Sequence, residues 1–299
     1  MSSKSFSIVI PYYNSNKYIE KALESIITAK YDQSLIEVLI IDDGSNNDSF
    51  EVVNQYCQKY KNIKLFHKPN GQWGSVINYV LSNQLVKKQY IAILDSDDFY
   101  HQNTFAILND MPDHDILVGA FRKFNGKKQT RKVLPFWYLI KRNLYNQRQM
   151  STPFCLPLIF FTKKEVFYTL EKLDENMAYQ DPVYWCQLIK NAKSLSFTKK
   201  ITGYYFFNRP DNSISQSWDE KRFIAELNAC KKMLQYDNQE MVSCRLNIKA
   251  FKQIIKAKNI KFHINRKFNF KWYPWYIRCF YFLVHQITLK KFFIYNKHD

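Results

Sequence analysis

The 299-residue sequence predicts an α/β domain, three layers around a mostly parallel central sheet, followed by a basic helical extension. Two observations lead there. Short β-branched apolar runs alternate with segments of helical period through the first hundred residues, and basic residues crowd toward the C-terminus. From Met241 to Asp299 there are 13 basic residues against a single acid, so this tail carries +12 of a total formal charge of +18. An aromatic content of 17% and only six glycines exclude a disordered or collagen-like chain.

The elements follow in order. Phe6 to Ile10, Ile36 to Ile41, Ile63 to Phe66 and Tyr90 to Leu94 read as buried strands. Between them, Lys17 to Thr28 places Ile19, Leu23 and Ile26 on one helical face, Ser49 to Tyr60 does the same with Val52, Val53 and Tyr56, and Gly74 to Leu85 offers a third helix. Strands alternating with crossover helices predict a parallel sheet. From Arg122 to Arg148 a basic, weakly periodic lobe interrupts it. Thr152 to Phe161 resumes apolar character and leads into a helix from Lys163 to about Leu173; the turn at Tyr179 to Trp185 opens another. Ser196 to Thr198 and Tyr204 to Phe207 read as two further strands. The pattern turns helical after Trp218, which divides the chain into a domain over 1–218 and an extension over 219–299.

The N-terminus lacks the apolar region of a signal peptide. The longest uncharged apolar run, Cys279 to Leu289, falls short of the roughly 20 residues of a membrane-spanning helix. Six cysteines without a C-x-x-C spacing read as reduced thiols of a cytoplasmic protein, rather than as a zinc ribbon or redox pair.

Ligands on a parallel sheet bind beyond the carboxyl ends of its strands. Those positions here are Pro11-Tyr-Tyr-Asn14, Asp42-Asp-Gly-Ser45 and Asp95-Ser-Asp-Asp98. Alternate carboxylates after a buried strand repel one another unless a cation or a donor group lies between them, and Mg²⁺ or Mn²⁺ takes such sites while completing its shell with phosphates. A solvated turn with capping acids is the competing reading. An Asp of Asp42-Asp43 can accept from a base imide or a sugar hydroxyl, or cap the following helix. The six histidines show no H-E-x-x-H or triad grouping.

Ile8-Val-Ile-Pro-Tyr-Tyr-Asn14, Ile40-Ile-Asp-Asp-Gly-Ser45 and Leu94-Asp-Ser-Asp-Asp98, in that order and spacing, resemble the inverting family 2 glycosyltransferases of GT-A fold over roughly residues 5–218. The resemblance implies that Pro11 to Tyr13 pack on the nucleotide base, that Asp43 bonds the base, and that Asn70 contacts the nucleotide. It implies Asp95 at the ribose, Asp97 at a divalent metal (Mn²⁺ or Mg²⁺) and Asp98 as a second candidate for that metal. In Tyr179-Gln-Asp-Pro-Val-Tyr-Trp185, Asp181 matches the family's catalytic base, with Gln180 where a Glu is usual; Phe207-Asn-Arg-Pro-Asp-Asn-Ser-Ile-Ser215 puts Arg209 near the diphosphate. Val76-Ile-Asn78 replaces the usual Ala-Arg-Asn, so the arginine that often faces the donor phosphate is missing at Ile77, and Lys68 or Arg209 are the candidates to replace it. Gly71 and Gly74 fit a helix start that approaches phosphate closely.

The expected reaction is transfer of a sugar from a nucleotide donor, a UDP-sugar in the first instance, to a hydroxyl of a glycan, teichoic-type polymer or lipid-linked acceptor. The absence of Q-x-x-R-W speaks against a processive synthase, and the lack of a Gly-rich basic loop after the first strand against a nucleotidyltransferase. The basic tail interleaves Lys and Arg with Trp272, Trp275, Phe280 and Phe282. Three readings stand: a packed appendage with a solvated basic face, an interfacial segment on anionic lipid at the inner face of the cell membrane, or nucleic-acid binding, which no accompanying signature supports. Oligomerisation through the tail stays open. A membrane- or nucleic-acid-binding protein with a degenerate catalytic domain is the non-enzyme alternative.

Overall fold

The computed structural model describes residues 2–46, 50–126, 129–133, 156–207 and 209, and in a last stretch 225, 228–229, 231–233 and 235–236. The chain divides into two compact units, Met1–Asp237 and Asn238–Asp299. The second unit, with the basic tail, and the boundary expected near Trp218 lie outside the described residues, as does most of the Arg122 to Arg148 lobe.

Among the described residues nine strands, numbered in chain order, form one sheet in the order β3-β2-β1-β4-β8-β6-β9-β5, with β7 on β6. The first side is the predicted one: β1 (Phe6–Tyr12), β2 (Ile36–Asp43), β3 (Ile63–Lys68) and β4 (Tyr90–Ile93) are all parallel. They are joined by α1 (Asn16–Ile27), α2 (Glu51–Lys59) and α3 (Gln72–Ser82). Every residue of β2 is buried, as a strand covered on both faces by crossover helices must be, whereas β3 at the edge alternates from buried Ile63 to exposed Lys64. Under β1 the ring of Phe6 meets Tyr31, Tyr90, Phe105 and Phe161 at centroid distances of 5.2–6.0 Å. This cluster anchors the middle of the sheet; aromatic pairs at such spacing add to area burial.

The far side differs from expectation. After the short β5 (Phe99–Tyr100) and α4 (Thr104–Asn109) comes a nine-residue strand, β6 (Ile116–Phe124), which pairs in parallel with β9 and antiparallel with β7 (Gln129–Val133) and β8 (Phe160–Lys163). The helix expected from Lys163 to Leu173 is a single turn, α5 (Lys164–Phe167). Thr169 ends it: its hydroxyl bonds back to the Val166 carbonyl at 2.7 Å, a local bond that competes with the helical ladder. The two strands expected near Ser196 and Tyr204 are one, β9 (Leu195–Phe206), continuous through the exposed Lys199 and Lys200. Between α5 and β9, α6 (Gln180–Asn191) is buried along nearly its whole length.

Candidate active site

Register brings the site together. Tyr12 stands opposite Asp42, so the turns after β1 and β2 lie side by side. Asn14 and Ser45 lock them: the Asn14 amide donates to Ser45 Oγ and the Asn46 amide to Asn14 Oδ1, both at 2.9 Å. Pro11 is half-buried and Tyr13, 53% exposed, is the large hydrophobic side chain left open to solvent among the described residues. A flat ring held at a strand end suits stacking on a planar ligand.

The two aspartates of the second turn divide their work. Asp42 closes the turn, with Oδ1 accepting from the Ser45 amide at 2.9 Å and Oδ2 facing His67 Nδ1 at 3.1 Å. Asp43 gathers the chain around itself. Its Oδ1 accepts from Lys68 Nζ at 2.6 Å, the Gly71 amide at 3.0 Å and Ser75 Oγ at 3.2 Å, while Asn70 Nδ2 lies 2.7 Å from its carbonyl and 3.3 Å from Oδ2. Oδ2 therefore has one long contact and room for another donor. Gly44 permits this approach, at φ 77°, because a Cβ there would fall 2.8 Å from the Asn70 nitrogen.

That network engages Lys68, one of the two candidates for the missing arginine, within the chain. An ammonium has three donors, and here they face Asp43 Oδ1, Ser75 Oγ and the Pro69 carbonyl. The Gly71 amide at the start of α3 is likewise occupied by Asp43. Ile77, where the family arginine was sought, is wholly buried in the core.

The third turn is the electrostatic opposite. Asp95 is pushed up to about 7 by burial first and then by the charges of Asp97 and Asp181, with relief from a hydrogen bond donated by Trp73 Nε1 to Oδ1 at 3.1 Å and from Arg209. Asp98, almost wholly buried, is raised well above the carboxylate range by burial and by Asp97 and Asp95, although the Phe206 amide donates to its Oδ1 at 2.8 Å. Asp97 Oδ2 pairs with Arg209 Nη1 at 2.9 Å, and the Arg209 guanidinium lies 4.8 Å from the ring of Tyr18 on α1. Arg209 thus faces the carboxylate cluster. Among the described residues no three His, Cys, Asp or Glu side chains are placed to hold an ion by themselves.

Asp181 occupies the first turn of α6, close enough for its charge to be felt at Asp95. Its helix begins on a strained residue: Tyr179 has φ 63°, and Gln72 at the head of α3 has φ 65°. Non-glycine residues in the left-handed region cluster at functional sites, and these two start the helices that face each other here. The helices meet at Gly74, where a Cβ would lie 2.5 Å from the Asp174 carbonyl and 3.1 Å from Gln180 Cγ. Gln180 is buried and turns away from ionic chemistry; its Oε1 accepts from the Asp174 amide at 3.1 Å.

Sequence reasoning missed Trp73 and Tyr205. Tyr205 on β9 has its hydroxyl held protonated by burial and by the charges of Asp98, Asp97, Asp95 and Asp181. Nothing in the Tyr204-Tyr-Phe-Phe207 run marks it apart from an ordinary strand.

The profile of glycosyl transferase family 2 matches residues 7–170. An uncharacterized glycosyltransferase of Mycoplasma pneumoniae is 38% identical over 293 residues, which cover 96% of this chain and 97% of that protein. The minor teichoic acid biosynthesis protein GgaA of Bacillus subtilis is 26% identical, over 78% of this chain and 54% of its own. Among solved structures, S. aureus TarS in complex with UDP-GlcNAc superposes with a TM-score of 0.63 at 20% identity, covering 81% of this chain and 72% of that one, a likeness of fold. No helix among the described residues is long and apolar enough to cross a membrane.

Proposed function

The chain belongs to glycosyltransferase family 2 and has its GT-A fold, and from that premise we propose that it moves a sugar from a UDP-sugar to a hydroxyl of a teichoic-type polymer, glycan or glycolipid, with inversion. The observation that carries this reading is the gathering of Asp95, Asp97 and Asp98 at the end of β4 within electrostatic reach of Asp181 at the head of α6. The UDP-GlcNAc held by TarS and the teichoic acid pathway of GgaA support the classes of donor and acceptor.

A divalent cation fits the carboxylates. Burial and mutual repulsion raise Asp95 and Asp98, and the Arg209 guanidinium offsets part of the cluster's charge. Asp97 would hold Mn²⁺ or Mg²⁺, with Asp98 as second candidate and donor phosphates completing the shell. When bound, the ion neutralises charge on the leaving nucleoside diphosphate. The chain's residues do the rest. Pro11 and Tyr13 pack on the base, Asp43 accepts its imide proton through Oδ2, Asn70 braces that carboxylate, and Asp95 accepts a ribose hydroxyl. Arg209, whose Nη1 lies 2.9 Å from Asp97 Oδ2, faces the diphosphate. Asp181 takes the proton of the acceptor hydroxyl as its oxygen attacks the anomeric carbon from the face opposite the leaving group. One displacement inverts that centre, and no covalent nucleophile takes part.

The transferase domain spans 1–218 in this reading. The extension over 219–299, through its basic and aromatic residues 241–299, rests on anionic lipid at the inner face of the membrane, where a lipid-linked acceptor would be found. Nucleotide release from UDP-sugars in the presence of Mn²⁺, abolished in Asp97→Ala, is the expected result. No release from any UDP- or GDP-sugar sinks the transferase reading. Removal of residues 241–299 abolishes binding to anionic vesicles; undiminished binding excludes the interfacial role.

A further inference from the structure

Trp73 belongs to none of the roles above, yet it touches both halves of the site. It follows the strained Gln72 at the head of α3 and is half-buried. Its Nε1 donates to Asp95 Oδ1 at 3.1 Å. The same ring stands edge-on to Tyr184, with centroids 5.6 Å apart and planes at 78°. Tyr184 is buried on α6 one turn after Asp181, which places the two on neighbouring positions of one helical face. Asp95 and Asp181 in turn feel each other's charge.

We propose that Trp73 is a positioning residue that sets the nucleotide-facing carboxylate of Asp95 against the helix carrying Asp181. An indole has a single donor and a rigid plane, so one bond to Asp95 and one edge on Tyr184 fix its orientation. With Oδ1 of Asp95 pinned by the indole, Oδ2 is presented to a hydroxyl donor. Trp185 makes the contrast: its Nε1 is buried without a hydrogen-bond partner among the described residues and its ring packs on Phe160, so that indole serves the core. The role rests on the nucleotide-sugar reading, and it makes Trp73 the element through which donor binding and base placement share one ring.

Two variants of the full chain separate the two contacts. Trp73→Phe keeps a ring against Tyr184 and loses the N–H. Calorimetric titration with uridine and with UDP plus Mn²⁺ is expected to show both affinities falling by the same factor, about ten-fold for a hydrogen bond to a charged group, because the loss acts at Asp95 before any phosphate is engaged. Turnover at saturating donor stays near the parental rate. Trp73→Ala also loses the Tyr184 contact, and turnover at saturating donor falls in addition to the binding loss. Parental uridine affinity in Trp73→Phe overturns the positioning role, as does a loss confined to UDP, which would place the effect at the diphosphate. Should Trp73→Ala fail to fold, Trp73→Phe decides alone. A parental protein that binds neither uridine nor UDP overturns the nucleotide-sugar reading and this role with it, an outcome distinct from any difference between variant and parent.

Discussion

Asp43 and the Asp95 to Asp98 turn stand at the carboxyl ends of β2 and β4, the strands on either side of β1, and they meet opposite environments. Around Asp43 the chain supplies an ammonium, a backbone amide, a hydroxyl and a side-chain amide. Around Asp95, Asp97 and Asp98 it brings other carboxylates, and the Trp73 indole, the Phe206 amide and the Arg209 guanidinium give relief. The same residue type is thus a finished anchor in one turn and an unbalanced charge cluster in the other. A charge the protein satisfies by itself builds the site, and charges left repelling one another mark where a cationic ligand adds most.

The largest expected effect lies on the acidic side. Asp181→Asn is expected to lower transfer by roughly a thousand-fold, as loss of a positioned base does, while UDP affinity by titration calorimetry is retained. Turnover and affinity falling together would assign Asp181 to donor binding instead. A second test applies one substitution to both turns. Asp43→Asn puts an amide where Lys68, Gly71 and Ser75 converge and leaves a buried ammonium unpaired, at a cost of about 3 kcal/mol. Asp98→Asn keeps shape and the acceptor for the Phe206 amide and replaces a carboxyl whose ionised form its neighbours oppose, so urea unfolding in metal-free buffer should show a smaller loss than Asp43→Asn. Equal losses at both positions would erase the contrast.

The same division governs how much could be read from sequence. β1, β2 and β4 are parallel strands covered on both faces, and such strands announce themselves as unbroken apolar runs. β6 and β8 pair antiparallel, and β6 runs on through Arg122 and Lys123 to Phe124, so no unbroken apolar run marks its whole length; Lys199 and Lys200 split the signal of β9 in two. The strand-end carboxylates were legible because their position in the topology is enough to nominate them. Their partners were not. Lys68 was one of two candidates for the arginine missing at Ile77, and only the folded chain shows its three donors turned on Asp43 and its neighbours. Trp73 and Tyr205 reach the cluster from other elements, with no spacing to connect them to it.

A smaller effect tests how the anchored turn is built. Gly44→Ala forces a left-handed backbone on alanine, which costs about 1–2 kcal/mol, and brings its Cβ 2.8 Å from the Asn70 nitrogen. The Asn70 segment must then move off Asp43, and UDP affinity is expected to fall along with the unfolding midpoint. A midpoint that falls while UDP affinity holds would show that the Asn70 segment is not part of the nucleotide site.

The smallest effect uses an aspartate outside both turns. Asp113 is held below the usual carboxylate range, first by the hydrogen bond from Tyr90 and then by Lys163, against some burial, and the Tyr90 hydroxyl lies 2.6 Å from Asp113 Oδ1 and 2.7 Å from the His114 carbonyl. A carboxyl with a lowered folded value binds fewer protons folded than unfolded between the two values. Its contribution to stability is therefore full above the ordinary carboxylate range, near pH 4, and is lost as pH falls through the lowered value. Tyr90→Phe removes the bond and should cost about 1 kcal/mol at pH 7, with the gap to the parent narrowing below about pH 4. A gap independent of pH would mean that the Tyr90 hydroxyl serves the His114 carbonyl alone.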